Sequence, residues 1–218
     1  SASLRLPKKQ EFSILCFFSS ILEILVFQIK TYFGICKNIK KMKKTLLILA
    51  HPHLQKSIRN KLIAEEMATE NNIEIRDLTG LYPDYNINVA EEQQKMVEAD
   101  IIVFQYPLYW YNVPPILKLW IDEVFTYGFA FGKGNYQLEG KKIVVSCTIG
   151  SKEDIYPAEK LEKIFFPLQG LADYCKMDYL AEIVSFGEVY VPGESKTGLE
   201  NSAKKHAEKL RHFLRSVT

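Results

Sequence analysis

The segment at residues 50–60 carries side chains that could bind a phosphate group. It contains His51, Ser57 and Asn60 and runs from an apolar stretch directly into a predicted helix. The free N–H groups and the dipole of a helix N-terminus favour anions, and these side chains can donate hydrogen bonds to phosphate oxygens. The segment matches neither G-x-x-x-x-G-K-S/T nor G-x-G-x-x-G, which disfavours nucleotide hydrolysis and a dinucleotide-type Rossmann site. Ser57 could also serve as the helix N-cap.

Four aromatic residues crowd the segment at residues 106–115, which follows the apolar run at residues 100–106. They are Tyr106, Tyr109, Trp110 and Tyr111. Exposed apolar patches usually mark binding sites, and a flat conjugated ligand, such as the isoalloxazine ring of a flavin, could stack on these rings. Backbone N–H groups of the loop could reach the heteroatoms of that ring. The alternative is a local aromatic core beneath the following helix.

A third segment, at residues 148–157, begins with Thr-Ile-Gly-Ser after another apolar run. A turn of small residues lets the backbone approach a ligand closely. Further along, Tyr156 could place its hydroxyl over a bound ring and stabilise negative charge that develops during a reaction. We name these stretches the phosphate segment (50–60), the aromatic segment (106–115) and the TIGS segment (148–157).

The elements around these segments alternate between strand and helix. Apolar runs predict strands at residues 45–50, 73–78, 100–106, 142–148 and 178–190. Helical periodicity predicts helices at residues 57–71, 89–99, 114–124, 159–175 (interrupted or kinked near Pro167) and 198–215. This alternation predicts an α/β fold with a five-stranded parallel sheet of order 2-1-3-4-5 and helices on both faces. Ligands of such sheets bind beyond the carboxyl ends of the strands, where all three segments begin.

Composition and cysteine usage restrict the class of protein. The 218 residues are 47% hydrophobic and 25% charged, an ordinary globular balance, and a net charge of +2 does not indicate a nucleic-acid partner. The four cysteines are scattered without C-x-x-C spacing, which predicts small buried residues and a cytoplasmic location. Potential metal-binding side chains do not cluster at ligand spacings, so we expect no metal.

Residues 1–41 differ in character from the rest of the chain. They hold seven basic and two acidic residues, a net +5, which leaves −3 for residues 42–218. Their longest uncharged apolar run, at residues 12–22, is well short of the roughly 18–20 residues that a membrane-spanning helix needs. We therefore expect an extension of unknown role at 1–41 and a functional domain at 42–218. An amphipathic helix lying on a membrane or on the domain is the alternative.

From Met42 to about Arg215 the sequence resembles the flavodoxin-like NAD(P)H:quinone oxidoreductases, and within them the bacterial general-stress and potassium-efflux-ancillary types. The resemblance is carried by AHPHLQKSIRN (50–60), FQYPLYWYNVPPILKLWIDEVFTYGFAFG (104–132), LEGKK (138–142) and TIGS (148–151). The second block is long and rich in rare residue types. The resemblance implies bound FMN, with FAD as the alternative, and NADPH or NADH as co-substrate. It also implies a quinone-like acceptor, a two-step ping-pong reaction and a homodimer.

The resemblance also implies roles for individual residues. The flavin phosphate would be held by His51, Ser57, Ile58 and Asn60. The ring would contact Pro107, Leu108, Tyr109, Trp110 and Tyr111, and its polar edge would meet Thr148, Ile149 and Gly150. Tyr156 matches an active-site tyrosine of the family. The family commonly has Thr-Thr-Gly-Gly where this chain has Thr-Ile-Gly-Ser, so one hydroxyl contact with the ring is lost.

The function predicted from the sequence is therefore two-electron hydride transfer from NAD(P)H to a small acceptor through a bound flavin. One alternative is a flavodoxin-like electron carrier that docks to redox proteins. Another is a flavin-binding regulatory subunit of a membrane transporter, with the hydrophobic extension in contact with the membrane.

Overall fold

The computed structural model describes residues 43–134, 136–187 and 195–217. Within these residues, five parallel strands form one sheet: β1 (Thr45–Leu49), β2 (Ile73–Asp77), β3 (Ile101–Pro107), β4 (Lys142–Thr148) and β5 (Asp178–Ser185). The helices are α1 (Ile58–Met67), α2 (Leu78–Leu81), α3 (Val89–Glu98), α4 (Pro115–Val124), α5 (Ala158–Tyr174) and α6 (Thr197–Ser216). The strand order β2-β1-β3-β4-β5 confirms the predicted flavodoxin-like arrangement.

The two faces of the sheet bury separate apolar clusters. Successive side chains of a strand point to opposite faces. Accordingly, Leu46 and Ile48 of β1 join the cluster formed with α3, α4 and α5, whereas Leu47 and Leu49 join the cluster formed with α1 and α6. Helices therefore cover both faces, as predicted. β1 and β3 are buried along their whole length, which explains why they are continuous apolar runs in the sequence.

The strand register brings the three segments to one edge of the sheet. Pro107 at the end of β3 lies opposite Thr148 at the end of β4. Ala50, which follows β1, donates its N–H to Gln105 O of β3 at 2.9 Å. The carboxyl ends of β1, β3 and β4 are therefore neighbours, and each leads into one of the segments.

Some element boundaries differ from the predicted ones. α1 ends at Met67 rather than at residue 71, because the chain turns and Asn72 Nδ2 donates to Lys43 O at 2.9 Å. α5 continues through Pro167 without the predicted interruption. The carbonyl that loses its partner there belongs to Lys163, and both residues are exposed, so water can bind it. β5 ends at Ser185, and residues 188–190 of the predicted strand lie outside the described residues, as does the extension at 1–41.

The helical pieces that periodicity did not predict are short. They are α2 and the 3₁₀ turns at Leu54–Lys56 and Glu153–Ile155, and a single turn is too short to show a 3.6-residue period. Among the helices of the described residues, none is both long and apolar enough to cross a bilayer.

Candidate active site at the carboxyl edge of the sheet

The phosphate, aromatic and TIGS segments meet at the carboxyl edge of the sheet. The rings of His51 and Tyr109 form an edge-to-face contact with centroids 6.3 Å apart, which joins the first two segments. The Leu108 N–H donates to Thr148 O at 2.9 Å, which joins the aromatic and TIGS segments. A ligand at this edge would therefore touch all three segments at once.

His51 is buried in the phosphate segment as a neutral imidazole. Burial lowers the pKa of His51 to about 4, and the neighbouring His53 adds to the effect. The His53 N–H donates to His51 Nδ1 at 3.0 Å, so the hydrogen of the neutral ring lies on Nε2. Thr79 Oγ1 holds the loop from the β2 side by donating to His51 O at 3.0 Å. His51 can thus offer an anion an N–H donor but no positive charge.

Ser57 is the N-cap of α1, in agreement with the cap interpretation. Its Oγ accepts the Asn60 N–H at 3.2 Å and lies 3.5 Å from Asn60 Nδ2. Both contacts use the hydroxyl oxygen as acceptor, so the hydroxyl hydrogen can still donate to a ligand. Ile58 and Arg59 supply the first N–H groups of the helix, and such groups point outward from a helix start. This end of α1 therefore combines backbone and hydroxyl donors suited to a phosphate.

Asn60, a predicted phosphate ligand, uses its side-chain amide inside the protein. Its Nδ2 donates to Thr148 Oγ1 at 2.9 Å, and its Oδ1 accepts from Gln105 Nε2 at 2.8 Å. The residue is buried. The Asn60 side chain thus links α1 with β3 and β4 through hydrogen bonds within the protein.

The aromatic segment forms a two-residue hairpin turn. Tyr109 and Asn112 exchange two backbone hydrogen bonds of 3.0 Å, and the central residues Trp110 and Tyr111 have φ values of 47° and 64°. Positive φ at both central residues is the pattern for which Asn and Gly are preferred, so bulky aromatic residues there are strained. The Trp110 side chain is 94% exposed. A local aromatic core therefore accounts for Tyr106, which is buried, but not for the hairpin.

Two other predicted ring contacts lie at the base of this hairpin. Pro107 is buried as the last residue of β3, and Leu108 is partly buried against the core. They fix where the hairpin leaves the sheet.

The TIGS segment has its first residues anchored in the sheet. The Ile149 side chain is buried in the core, its N–H donates to Ser185 O at 2.8 Å, and its carbonyl accepts from Arg59 Nη2 at 2.8 Å. Ile149, which was predicted to meet the polar edge of the ring, therefore has both its backbone N–H and its carbonyl hydrogen-bonded within the protein. Thr148 accepts the Asn60 amide, which leaves its hydroxyl hydrogen to donate, and Gly150 is exposed.

Tyr156 lies in an aromatic cluster beside the hairpin. Its ring centroid is 6.2 Å from that of Tyr111 and 6.0 Å from that of Phe186. Lys160 Nζ lies 4.7 Å from the Tyr156 ring centroid and 5.0 Å from the Tyr111 ring centroid, within the range of cation–π contacts. The structure thus places the predicted catalytic tyrosine next to the predicted ring site and adds a positive charge that sequence reasoning missed.

Sequence reasoning also missed a set of buried polar residues behind the site. Gln105 and Ser146 lie opposite each other in β3 and β4, and His206 lies on the apolar face of α6. A polar residue within a strand buried on both faces must find a hydrogen-bond partner. That signal, a Gln and a Ser within otherwise apolar runs, was present in the sequence.

The site as a whole fits a planar ligand that carries a phosphate. Its donors are hydroxyls, an imidazole N–H and helix N-terminal N–H groups, and its exposed surface is aromatic. Within the described parts of the chain, no three His, Cys, Asp or Glu side chains are arranged to hold a metal ion.

The chain belongs to the protein family described as having a flavodoxin-like fold, whose profile matches residues 43–210. It is 41% identical to general stress protein 14 of Bacillus subtilis (strain 168) over 170 residues, which cover 76% of this chain and 95% of that protein. It is 35% identical to the uncharacterized NAD(P)H oxidoreductase YrkL of the same organism over 173 residues, which cover 77% of this chain and 98% of that protein.

Solved structures give the same assignment. The chain resembles general stress protein 14 from Treponema denticola in complex with FMN, with a TM-score of 0.71, 31% identity, and coverage of 80% of this chain and 99% of that one. It also resembles an NADPH-quinone reductase from P. pentosaceus, with a TM-score of 0.63, 29% identity, and coverage of 75% and 97%. These matches confirm the family resemblance that the sequence motifs indicated.

Proposed function

We propose that this protein is a flavin-dependent NAD(P)H oxidoreductase whose acceptor is a quinone or a related small electrophile. The observation that carries the proposal is the carboxyl edge of the sheet, where the donors at the start of α1 lie beside the aromatic hairpin. The NAD(P)H oxidoreductase named among the relatives, the neighbour with bound FMN and the NADPH-quinone reductase support it.

FMN is the proposed cofactor, and FAD is the alternative. The Ser57 hydroxyl, the His51 Nε2–H and the N–H groups of Ile58 and its helical neighbour would hold the phosphate. The hairpin at residues 109–112 would pack on the ring, and the Gly150 backbone would approach its polar edge. A bound flavin would supply the two-electron chemistry, while the protein supplies position and electrostatics.

Tyr156 and Lys160 would act on the acceptor. The Tyr156 hydroxyl would donate to an acceptor oxygen as negative charge develops on it, and the Lys160 ammonium beside the ring would favour that charge. Tyr156→Phe should lower kcat for quinone reduction about tenfold or more, whereas Tyr85→Phe, outside the three segments, should leave it unchanged. An unchanged rate of both half-reactions in Tyr156→Phe would remove Tyr156 from the mechanism.

The proposed order of events is ping-pong: NAD(P)H reduces the flavin and leaves before the acceptor enters. In this proposal the hairpin and Tyr156 would border a single ring-binding surface, which the donor and the acceptor would occupy in turn. Parallel lines in double-reciprocal plots against both substrates are the expected result, and intersecting lines would contradict this order. The ratio of kcat/KM for NADPH and NADH would decide the preferred donor.

A homodimer is part of the proposal. Exposed aromatic side chains outside the hairpin, namely Tyr127, Phe166 and Tyr174, would be covered by a second copy of the chain. Light scattering of the purified protein should give twice the chain mass, and a fully active monomer would contradict this.

The decisive experiment is to purify the full chain and record its visible absorption spectrum. The mass of the cofactor released on heating separates FMN from FAD. Rapid bleaching by NAD(P)H, followed by reoxidation with a quinone in a stopped-flow instrument, identifies an oxidoreductase, whereas an electron carrier would be reduced by a protein partner and not by NAD(P)H. A colourless protein that binds neither added FMN nor FAD would refute the proposal.

A further inference from the structure

A continuous set of buried hydrogen bonds connects α6 with the candidate active site. His206 Nε2 lies 2.7 Å from Ser146 Oγ, and the Ser146 hydroxyl donates to Gln105 Oε1. Gln105 Nε2 donates to Asn60 Oδ1 at 2.8 Å, and Asn60 Nδ2 donates to Thr148 Oγ1 at 2.9 Å. None of the five residues is more than 3% exposed. We name this set the His206 chain.

The His206 ring sets the direction of the hydrogen bonds in the His206 chain, because its Nδ1 has no partner among the described residues and a buried unpaired N–H is less tolerated than a buried lone pair. Gln105 uses its amide nitrogen toward Asn60, so its oxygen faces Ser146, and the Ser146 hydroxyl must donate. The Ser146 hydroxyl oxygen accepts on its other side from His206 Nε2, in agreement with a ring hydrogen on Nε2. The His206 Nδ1 then carries a lone pair, and it has no hydrogen-bond partner among the described residues, which is consistent with a neutral ring.

The direction of these hydrogen bonds also determines which groups the Asn60 end of the His206 chain presents to a ligand. Asn60 presents its NH₂ group to Thr148 and Ser57. Both hydroxyl oxygens therefore accept from the protein, and both hydroxyl hydrogens remain available to donate to another group. If the Asn60 amide were reversed, its oxygen would face these hydroxyls and would take their hydrogens. The orientation of one buried amide thus switches two hydroxyls between donating to a ligand and donating to the protein.

We propose that His206 is a positioning residue for the flavin site, which acts through the His206 chain to fix the Asn60 amide and keep the Thr148 and Ser57 hydroxyls as donors to the cofactor. This inference rests on the proposed function, since the ligand is the flavin. His206 lies on a different helix from the phosphate segment and acts through two intervening strands, so its contribution is separate from any direct contact.

The test compares variants of the full-length protein by their affinity for FMN, measured as quenching of flavin fluorescence below the unfolding temperature of the cofactor-free protein. His206→Met removes the Nε2–H donor and fills its place with an apolar side chain of similar length. His206→Gln restores an N–H donor. Leu210→Ala is the matched control, because Leu210 is also buried on α6, four residues from His206, and is not a member of the His206 chain. Ser146→Ala breaks the chain without altering α6.

Once the Asn60 amide can adopt either orientation, the ligand loses on average about one of the two hydroxyl hydrogen bonds, so we expect His206→Met and Ser146→Ala to weaken FMN binding about tenfold. Both should also shift the visible absorption band of bound flavin. His206→Gln should bind within about threefold of the wild type, within the usual context-dependent spread of hydrogen-bond contributions. Leu210→Ala should lower the unfolding temperature without changing FMN affinity or the absorption band.

The outcomes separate the two proposals. If the wild type fails to bind FMN or FAD, the proposed function is wrong and this inference falls with it. If the wild type binds FMN but His206→Met and Ser146→Ala bind it equally well with an unshifted spectrum, the positioning role of His206 alone is refuted. An equal loss of affinity in Leu210→Ala would also refute it, because general destabilisation would then account for the effect.

Discussion

Because the aromatic hairpin is strained, we expect a substitution of Trp110 to raise the stability of the protein while it weakens ligand binding. A left-handed backbone conformation costs an L-residue about 1–2 kcal/mol, and Asn tolerates it better than other non-glycine residues. Trp110 has a φ of 47°, and its side chain is 94% exposed, so its removal forfeits little packing. We therefore expect Trp110→Asn to raise the free energy of unfolding of the cofactor-free protein by about 1 kcal/mol.

For a chain of this length, such a gain corresponds to an increase of about 2–4 °C in the unfolding temperature, which differential scanning calorimetry resolves. The matched control is Lys176→Asn. Lys176 also has a positive φ of 56° and is exposed, but it follows the end of α5, away from the three segments. Asn is favoured after a helix in this conformation, so the control should also gain stability, reduced by the loss of the cation–π contact with Tyr136 and of the exposed ion pair with Glu139.

The two variants should differ in function. Trp110→Asn should bind FMN or the acceptor more weakly, because the hairpin loses the ring proposed to pack on the flavin, whereas Lys176→Asn should behave as the wild type. A fall in the unfolding temperature of Trp110→Asn beside a rise in that of Lys176→Asn would refute the reasoning. In that case the indole would make a stabilising contact that outweighs the backbone strain.

Three further predictions concern the interior. Burial lowers the pKa of His206 to about 4, with Arg59 contributing. The unfolded state therefore takes up a proton as the pH falls through about 6.5, before the folded state does, and stability falls with it. Between pH 7.5 and pH 5.0 this histidine should lower the unfolding free energy by about 2 kcal/mol. The loss is measured by urea unfolding, as the difference in pH dependence between the wild type and His206→Gln. An identical pH dependence in the variant would contradict the prediction. Glu92 is fully buried and accepts from Arg76 Nε and Trp120 Nε1, each at 3.0 Å. Glu92→Gln should lower the unfolding free energy by about 3 kcal/mol, because the Arg76 guanidinium then keeps, among the described residues, only its ion pair with the exposed Glu91; a loss below 1 kcal/mol in denaturant titrations would count against this pair. The Cys147 thiol is buried, and burial raises its pKa, so peptide mapping after N-ethylmaleimide treatment should find it labelled in urea and unlabelled in the native protein.

The strands of the sheet were predictable because burial on both faces requires a continuous run of apolar residues in the sequence. β1, β3 and β4 are each within a residue of their predicted bounds, since an uninterrupted apolar run ends where the sheet ends. The end of α1 was less predictable. Its last turn gives way to a loop in which Asn72 binds Lys43 O, a tertiary contact that helical periodicity does not reveal.

The residues of the site were predictable only where they stand in the loops. Hydroxyl, imidazole and aromatic side chains after the strands indicated a phosphate and a planar ring, and the structure brings those segments together. The inward direction of the Asn60 amide was not predictable from its position beside Ser57. It depends on Gln105 and Ser146, whose own partners become visible only when β3, β4 and α6 are assembled.

The buried polar residues also bear on how the loops keep one geometry. An isolated Gln105 or Ser146 in an apolar strand would destabilise the fold by about 1–3 kcal/mol, the desolvation penalty of an unsatisfied buried group. Joined in the His206 chain, each satisfies the next, so the penalty is offset and a definite direction is imposed on every member. Apolar residues at the same positions could pack the sheet equally well, but they would leave the Asn60 amide free to adopt either orientation. The polarity of the core therefore determines which hydrogens the Thr148 and Ser57 hydroxyls present at the edge of the sheet.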